Sequence, residues 1–307
     1  MQRRLLDYLV ISLKGLAMGA ADAVPGVSGG TIAFISGIYE ELITTISNVN
    51  VSLFKTLIKD GFKPFWKQLN GNFILALLIG IVISFVTFMR LAKYLIENHP
   101  ILIWSFFFGL IVASIYYVGK EISKWNVSTV LTLIIGAVIA YYITTLPSLA
   151  NNDSSLYLFL AGALAICAMI LPGISGAFIL VILGAYKALS DAVHDVDIKR
   201  LALFIGGAAV GLLTFSRVLK WLFKHYHNLT LALLTGFILG SLNKVWPWKE
   251  VISWRTNSKG EEVPLIEESI MPSAFNGDPQ VFYAVTLMVL GFLTIFILER
   301  LGTKTNN

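Results

Sequence analysis

Uncharged apolar runs separated by short polar turns set the pattern of this chain. Six of them, at 73–89, 101–118, 128–145, 201–215, 229–242 and 281–298, contain no Asp, Glu, Lys or Arg. Each is near or just below the roughly 20 residues with which a helix crosses about 30 Å of hydrocarbon, so the pattern predicts six spanning helices. Composition points the same way, at 56% hydrophobic and 13% charged with a mean hydropathy of +0.77. Soluble domains carry roughly 25% charged residues and need polar side chains to cover their surface, which makes lipid the expected solvent here.

Arg3 and Arg4 precede an apolar stretch in the manner of a signal peptide, but Asp7 and Lys14 interrupt it and it leads directly into a motif that recurs later. The segment is therefore expected to stay in the mature protein. The single cysteine, Cys167, allows no intrachain disulfide. A net charge of +5, with lysines not clustered around stacking aromatics, suits an anionic membrane surface rather than nucleic acid.

Self-comparison reveals a repeat. Pro25-Gly26-Val27-Ser28-Gly29 returns as Pro172-Gly173-Ile174-Ser175-Gly176 at an offset of 147, and nine of the eighteen positions from 25 to 42 are identical across that offset. Further on the offset falls to 127, where Gly80, Arg90, Lys93, Gly109 and Ser114 meet Gly207, Arg217, Lys220, Gly236 and Ser241. The first half thus carries a 20-residue insertion. There Lys55, Lys59, Lys63 and Lys67 recur every fourth residue among Leu53, Phe54, Leu57, Ile58, Phe62, Phe65 and Trp66. One basic helix face lying on an anionic leaflet is the expectation, with a solvated linker helix as the alternative. The runs 128–145 and 281–298 align only loosely.

Each half supplies a helix pair around its Pro-Gly break and then three spans. An odd number of crossings turns the second half over, whether the pair is re-entrant or spans twice. On one side then fall Arg3, Arg4, the four insertion lysines, Lys120, Lys124, Lys220, Lys224, Arg300 and Lys304. The turns 147–155 and 190–200 and the acidic loop 246–280 fall on the other. The predicted fold is an all-α polytopic membrane protein of two inverted-topology repeats. Each is a re-entrant, Pro-Gly-broken helix pair plus three transmembrane helices. The first repeat covers 1–147, with its basic amphipathic insertion over about 48–71, and the second covers 148–307, with a periplasmic loop over about 246–280. Both termini are placed in the cytoplasm.

Irregular backbone at membrane depth survives only where protein buries it or water reaches it, which singles out the two breaks. Proline suits a first helical turn, glycine leaves N–H groups uncovered, and Ser28 or Ser175 can cap. A helix beginning there directs its positive end and free donors inward, a recipe for binding an anion. The predicted binding set is Pro25, Gly26, Ser28, Gly29, Gly30 and Thr31 with Gly173, Ser175 and Gly176. Close helix packing by small residues is the other reading. Arg90 and Arg217, at equivalent repeat positions, are candidates to clamp a phosphate or else to snorkel to the interface. Asp22, Glu40 and Glu41 are candidate ion-coupling carboxylates for a proton or sodium gradient, because a carboxylate beside an anion site holds its proton more tightly. A static pair of Asp22 with Lys14 is the alternative.

The string Met18-Gly19-Ala20-Ala21-Asp22-Ala23-Val24-Pro25-Gly26-Val27-Ser28-Gly29-Gly30-Thr31, with Gly37-Ile38-Tyr39-Glu40 and Leu171-Pro172-Gly173-Ile174-Ser175-Gly176, resembles a bacterial membrane family. Long catalogued as a domain of unknown function, it is now associated with undecaprenyl phosphate translocation, the PopT-type polyprenyl-phosphate transporters. The resemblance covers nearly the whole chain. It implies a multi-pass protein of the bacterial inner membrane that returns the C55 carrier lipid monophosphate from the outer to the cytoplasmic leaflet. Two other readings stay open. The motif is similar to that of the membrane undecaprenyl pyrophosphate phosphatases of the bacitracin-resistance type, but Gly29 and Gly176 stand where their arginine would be. No histidine falls at the break to act as a base, so no catalytic residue is assigned. An inorganic-anion channel or exchanger would also use broken helices of this kind. Neither a metal-ligand spacing nor a nucleotide-binding loop is present, and no cofactor is expected. Polyprenyl phosphate and anionic lipids are the expected partners, and association into a homo-oligomer stays open.

Overall fold

A computed structural model of the chain describes residues 3–22, 28–146, 154–256 and 262–303. Pro25 and Gly26 lie outside the described residues, as does the side chain of Arg90. The first half runs through α1 (Leu5–Asp22), α2 (Gly29–Ile35), α3 (Tyr39–Ser47), α4 (Val51–Lys59), α5 (Phe62–Gln68), α6 (Gly71–Asn98), α7 (Pro100–Glu121) and α8 (Val127–Thr145). The second runs through α9 (Ser155–Ile170), α10 (Gly176–Ile182), α11 (Tyr186–His194), α12 (Ile198–Gly240), strands β1 (Lys249–Thr256) and β2 (Glu262–Ser269), and α13 (Val281–Thr303). Short polar residues at the edges of the apolar runs start many of these helices. Asn50, Asn126, Ser154 and Asp197 each accept a hydrogen bond from a first-turn backbone N–H.

Three segments among the described residues are long and apolar enough to cross a membrane: Pro100–Glu121, Val127–Thr145 and Ile198–Val245. Gly71–Ser84 passes together with α5 across a 68° bend. The chain is thus a largely helical membrane protein. As one straight rod, α12 would measure about 65 Å at 1.5 Å per residue, roughly twice the hydrocarbon thickness. Non-helical Tyr226 (φ −136°, ψ 46°) divides it, and the predicted runs 201–215 and 229–242 are its two legs. His99, between α6 and α7, holds φ −137° and ψ 50°, the same break 127 residues earlier.

Glycines let these helices close on one another where a neighbouring carbonyl passes. A Cβ on Gly15 would strike the Leu77 carbonyl, and one on Gly162 the Phe204 carbonyl; Gly80 meets Ser12 and Gly207 meets Phe159 in the same way. Within each couple the second contact is the first displaced by the two repeat offsets, 147 on one helix and 127 on the other. Gly109 in α7 approaches Met288 in α13, and its counterpart Gly236 in α12 approaches Leu133 in α8. Gly291 against Phe106 and Gly136 against Leu233 repeat the scheme, at a common offset of 155 between α8 and α13. The two halves of the sequence therefore trade their last helices, α8 lying on α12 and α13 on α7.

Two regions differ from the expectations. The insertion is not one helix: Gly61, at φ 86°, parts α4 from α5, so the four lysines do not share a single face. Val51, Phe54, Ile58 and Phe62 stay exposed on these short helices. The stretch 246–280 holds an antiparallel hairpin, β1 against β2, in a chain otherwise expected to be all helix. Its base is pinned by two indoles, Trp246 donating to the Ile270 carbonyl and Trp248 to the Pro279 carbonyl, both at 2.8 Å.

Gly207→Ala and Gly236→Ala should each lower the melting temperature of the detergent-solubilised protein, since overpacking a tight contact costs about 1–3 kcal/mol. Gly119→Ala serves as the control, because a Cβ there meets only Trp125 at 3.9 Å, and should leave it unchanged.

Candidate functional site

Ser28 and Ser175 do what the repeat predicts of them. Each is extended and caps a seven-residue helix: Ser28 accepts from the Gly30 N–H at the start of α2, Ser175 from the Phe178 N–H at the start of α10. The two starts also touch. The Ser28 hydroxyl donates to the Met169 carbonyl at 3.2 Å, and the Gly173 N–H donates to the Thr31 hydroxyl at 2.9 Å. A Cβ on Gly30 would press on the Ile170 carbonyl at 2.6 Å, and Gly173 sits at φ +83° with the Phe237 carbonyl over its open face. Only glycine satisfies both demands at residue 173. Each helix start thus takes a hydrogen-bond partner from the other half of the chain.

Chemistry differs between the two starts. Asp22 closes over the first, its Oδ1 accepting the Gly29 N–H at 2.7 Å. With Ser28 taking the Gly30 N–H, these two donors of the predicted cradle are already occupied by the protein. Met169 holds the position equivalent to Asp22 and brings no carboxylate to the second start. Lys14 does not reach Asp22; it donates to the Ser36 carbonyl at 2.7 Å.

A cavity lies at each end of α7. One, of about 250 Å³, is lined by Trp104, Gly173, Ser175, Lys244, Lys249 and Glu267. The other, of about 270 Å³, is lined by Gly37, Tyr39, Glu40, Tyr117, Lys120 and His227. They are related by the repeat: Phe34, Tyr39, Tyr117 and Leu231 in the second correspond to Val181, Tyr186, Lys244 and Trp104 in the first.

The other predicted residues divide. Glu40 faces His227 at 2.9 Å in the second cavity, beside the buried Tyr39 hydroxyl, which has no partner among the described residues. Glu41 is engaged elsewhere, by Arg3 at 2.6 and 2.7 Å and by Asn70. Burial raises the Glu41 carboxyl, and the Arg3 and Asn70 hydrogen bonds outweigh it and hold the group below the usual carboxylate value. Arg217 lines neither cavity; it donates to the Val49 carbonyl at 3.0 Å. Lys244 and Lys249 escaped the sequence reading, which gave Lys244 no role and left Lys249 in a periplasmic loop over 246–280. Their signal was the run Lys244-Val245-Trp246-Pro247-Trp248-Lys249, two cations bracketing a tryptophan pair at the exit of an apolar run. Burial lowers the Lys249 ammonium below the ordinary lysine value, against the opposing pull of Glu267.

A polytopic helical body with broken helices meeting inside it, and a charged cavity at either end, is the build of a membrane transporter. The profile described as undecaprenyl phosphate translocase-like matches residues 18–263, and the chain belongs to that family, one of transporters rather than enzymes. It is 44% identical to a polyprenyl-phosphate transporter of Vibrio cholerae over 99% of this chain and 100% of that one. A polyprenyl-phosphate transporter of Staphylococcus aureus is 34% identical over 76% of this chain and 85% of its own. No solved structure matches.

Thr31→Val should strand the Gly173 N–H in the interior and cost about 1–3 kcal/mol of stability. Thr31→Ser should restore it, as read by thermal unfolding in the same detergent.

Proposed function

We propose that this chain carries undecaprenyl phosphate from the outer to the cytoplasmic leaflet of the bacterial inner membrane. It thereby returns the carrier lipid after cell-envelope polymer synthesis. The observation that carries the reading is the pair of repeat-related cavities at opposite ends of α7, in a fold whose two helix starts hydrogen-bond to each other. A lipid of this kind has one small, strongly charged group to move across a low-dielectric slab, while its prenyl chain stays in lipid. Alternating access through two equivalent cavities serves that need.

In this reading the halves are inverted repeats, each opening with a re-entrant pair. Contact of Arg3 with Glu41 supports it, because the chain beyond the first break has come back to where α1 began. The cavity beneath the hairpin faces the periplasm, the Glu40 cavity and both termini face the cytoplasm, and α4 and α5 lie on the anionic leaflet. Phosphate passes by Gly173, Ser175 and Gly176 on one side and Ser28 to Thr31 on the other, with Arg90 as the remaining clamp. Asp22 and Glu40 are the coupling carboxylates for a proton or sodium gradient, one at the first helix start and one in the cytoplasmic cavity. Glu41, tied to Arg3, holds the fold.

A leaflet-resolved assay in vesicles tests this. Purified protein should move undecaprenyl phosphate between leaflets, and Arg90→Gln should slow it by about tenfold or more, the effect of one lost hydrogen bond to a charged group. Glu40→Gln should leave movement insensitive to an imposed proton or sodium gradient. Chloride flux without lipid movement would instead select the anion-channel reading.

A further inference from the structure

Repeat-related cavities invite a comparison of their charges, and they differ at one telling pair. Where the Glu40 cavity has Tyr117, the hairpin cavity has Lys244. The Lys244 ammonium makes no hydrogen bond or ion pair among the described residues and rests over the Phe178 ring, 4.3 Å from the centroid. Lys249 enters from β1, its side chain only 10% exposed. It donates to the Lys244 carbonyl at 2.7 Å, lies 4.5 Å from the centre of the Trp104 ring, and meets Glu267 at 3.3 Å. Two ammonium groups therefore share one carboxylate in a half-open cavity, where Lys249 is the most buried of the three. Desolvated charge is costly unless matched, so the cavity is short of negative charge.

We propose that Lys244 and Lys249 form the loading seat for a phosphate monoester on the hairpin side, with Glu267 holding Lys249 until the phosphate displaces it. The inference rests on the transport reading above and adds to it the residues that first take the headgroup. A phosphate monoester brings about −1.5 to −2 charges at neutral pH, enough to balance both ammonium groups. An anion arriving there also favours the charged form of Lys249, which burial disfavours. Room is adequate: about 250 Å³ compares with the roughly 30 Å³ of a water in the liquid. Ile143 supplies an apolar shoulder for the first carbons of the chain. The Glu40 cavity has Tyr117 at the position of Lys244, and its own lysine, Lys120, is accompanied by Glu40 and Glu121, so it lacks the excess of positive charge and loading and release differ chemically.

The test is equilibrium binding of radiolabelled undecaprenyl phosphate to the full-length protein in phosphatidylcholine nanodiscs, with inorganic phosphate as competitor. Lys244→Gln and Lys249→Gln should each weaken binding by about tenfold or more, as expected for a charge-assisted contact. Lys249→Arg should keep most of it. Glu267→Gln should tighten binding, because the internal competitor is gone, and a misfolded variant cannot produce that gain. Lipid binding by the wild type with both Lys→Gln variants unchanged, or weaker binding in Glu267→Gln, overturns the seat and leaves the transport reading standing. Binding of inorganic phosphate alone, lost in the lysine variants, upholds the seat but removes the lipid. Binding of neither ligand by the wild type overturns both.

Discussion

Buried backbone polar groups have no water to turn to, and a helix start leaves several of them without a partner in its own helix. The structure meets the constraint by setting the breaks against each other. Thr31 accepts the Gly173 N–H, and Ser28 spans from its own helix start to the Met169 carbonyl. Much of the surrounding architecture follows from making this approach close enough. Gly30 and Gly173 can carry no side chain where neighbouring carbonyls pass, and α2 and α10 are held to seven residues by the turns that end them at Gly37 and Gly184, both at positive φ.

On this near-symmetric scaffold the chemistry is unequal. Asp22 turns the first helix start inward on itself, where Met169 leaves the second without a carboxylate. One cavity gains Lys244 and Lys249 from the exit of α12 and from the hairpin, while the other gains the Glu40 and His227 pair. Two equivalent frames with different charges suit a cycle whose two ends perform different steps. Exchange of α8 and α13 ties the frames together, since each half contributes a helix to the bundle of the other through glycine contacts that tolerate no Cβ.

Several features were plain from sequence because they depend on local chemistry. Ser28 and Ser175 cap because a short hydroxyl side chain before a helix can do little else. The repeat was legible at Gly80, Gly109, Gly207 and Gly236 because close backbone approach leaves glycine as the residue that fits. The correspondence of α8 to α13 was not, because helices surrounded by apolar neighbours accept many apolar side chains, and it is the close approaches at Gly136 and Gly291 that mark their common register. The insertion was misjudged at Gly61, whose positive φ breaks what the lysine spacing alone described as continuous.

Apolar run length, repeat and break position were determined by the sequence itself, since each follows from neighbours in the chain: hydrocarbon thickness sets the first, shared residue types the second, proline and glycine the third. Tertiary structure decided which carboxylate meets which partner. Asp22 turns to Gly29 rather than Lys14, Glu41 to Arg3, Glu40 to His227, and Arg217 to the Val49 carbonyl. It also brought Lys244 and Lys249 over a cavity that the sequence showed only as a loop. A charge acts through distance and burial, and both are settled by how the chain folds back on itself, over 7 positions for Asp22 and Gly29 and 187 for Glu40 and His227.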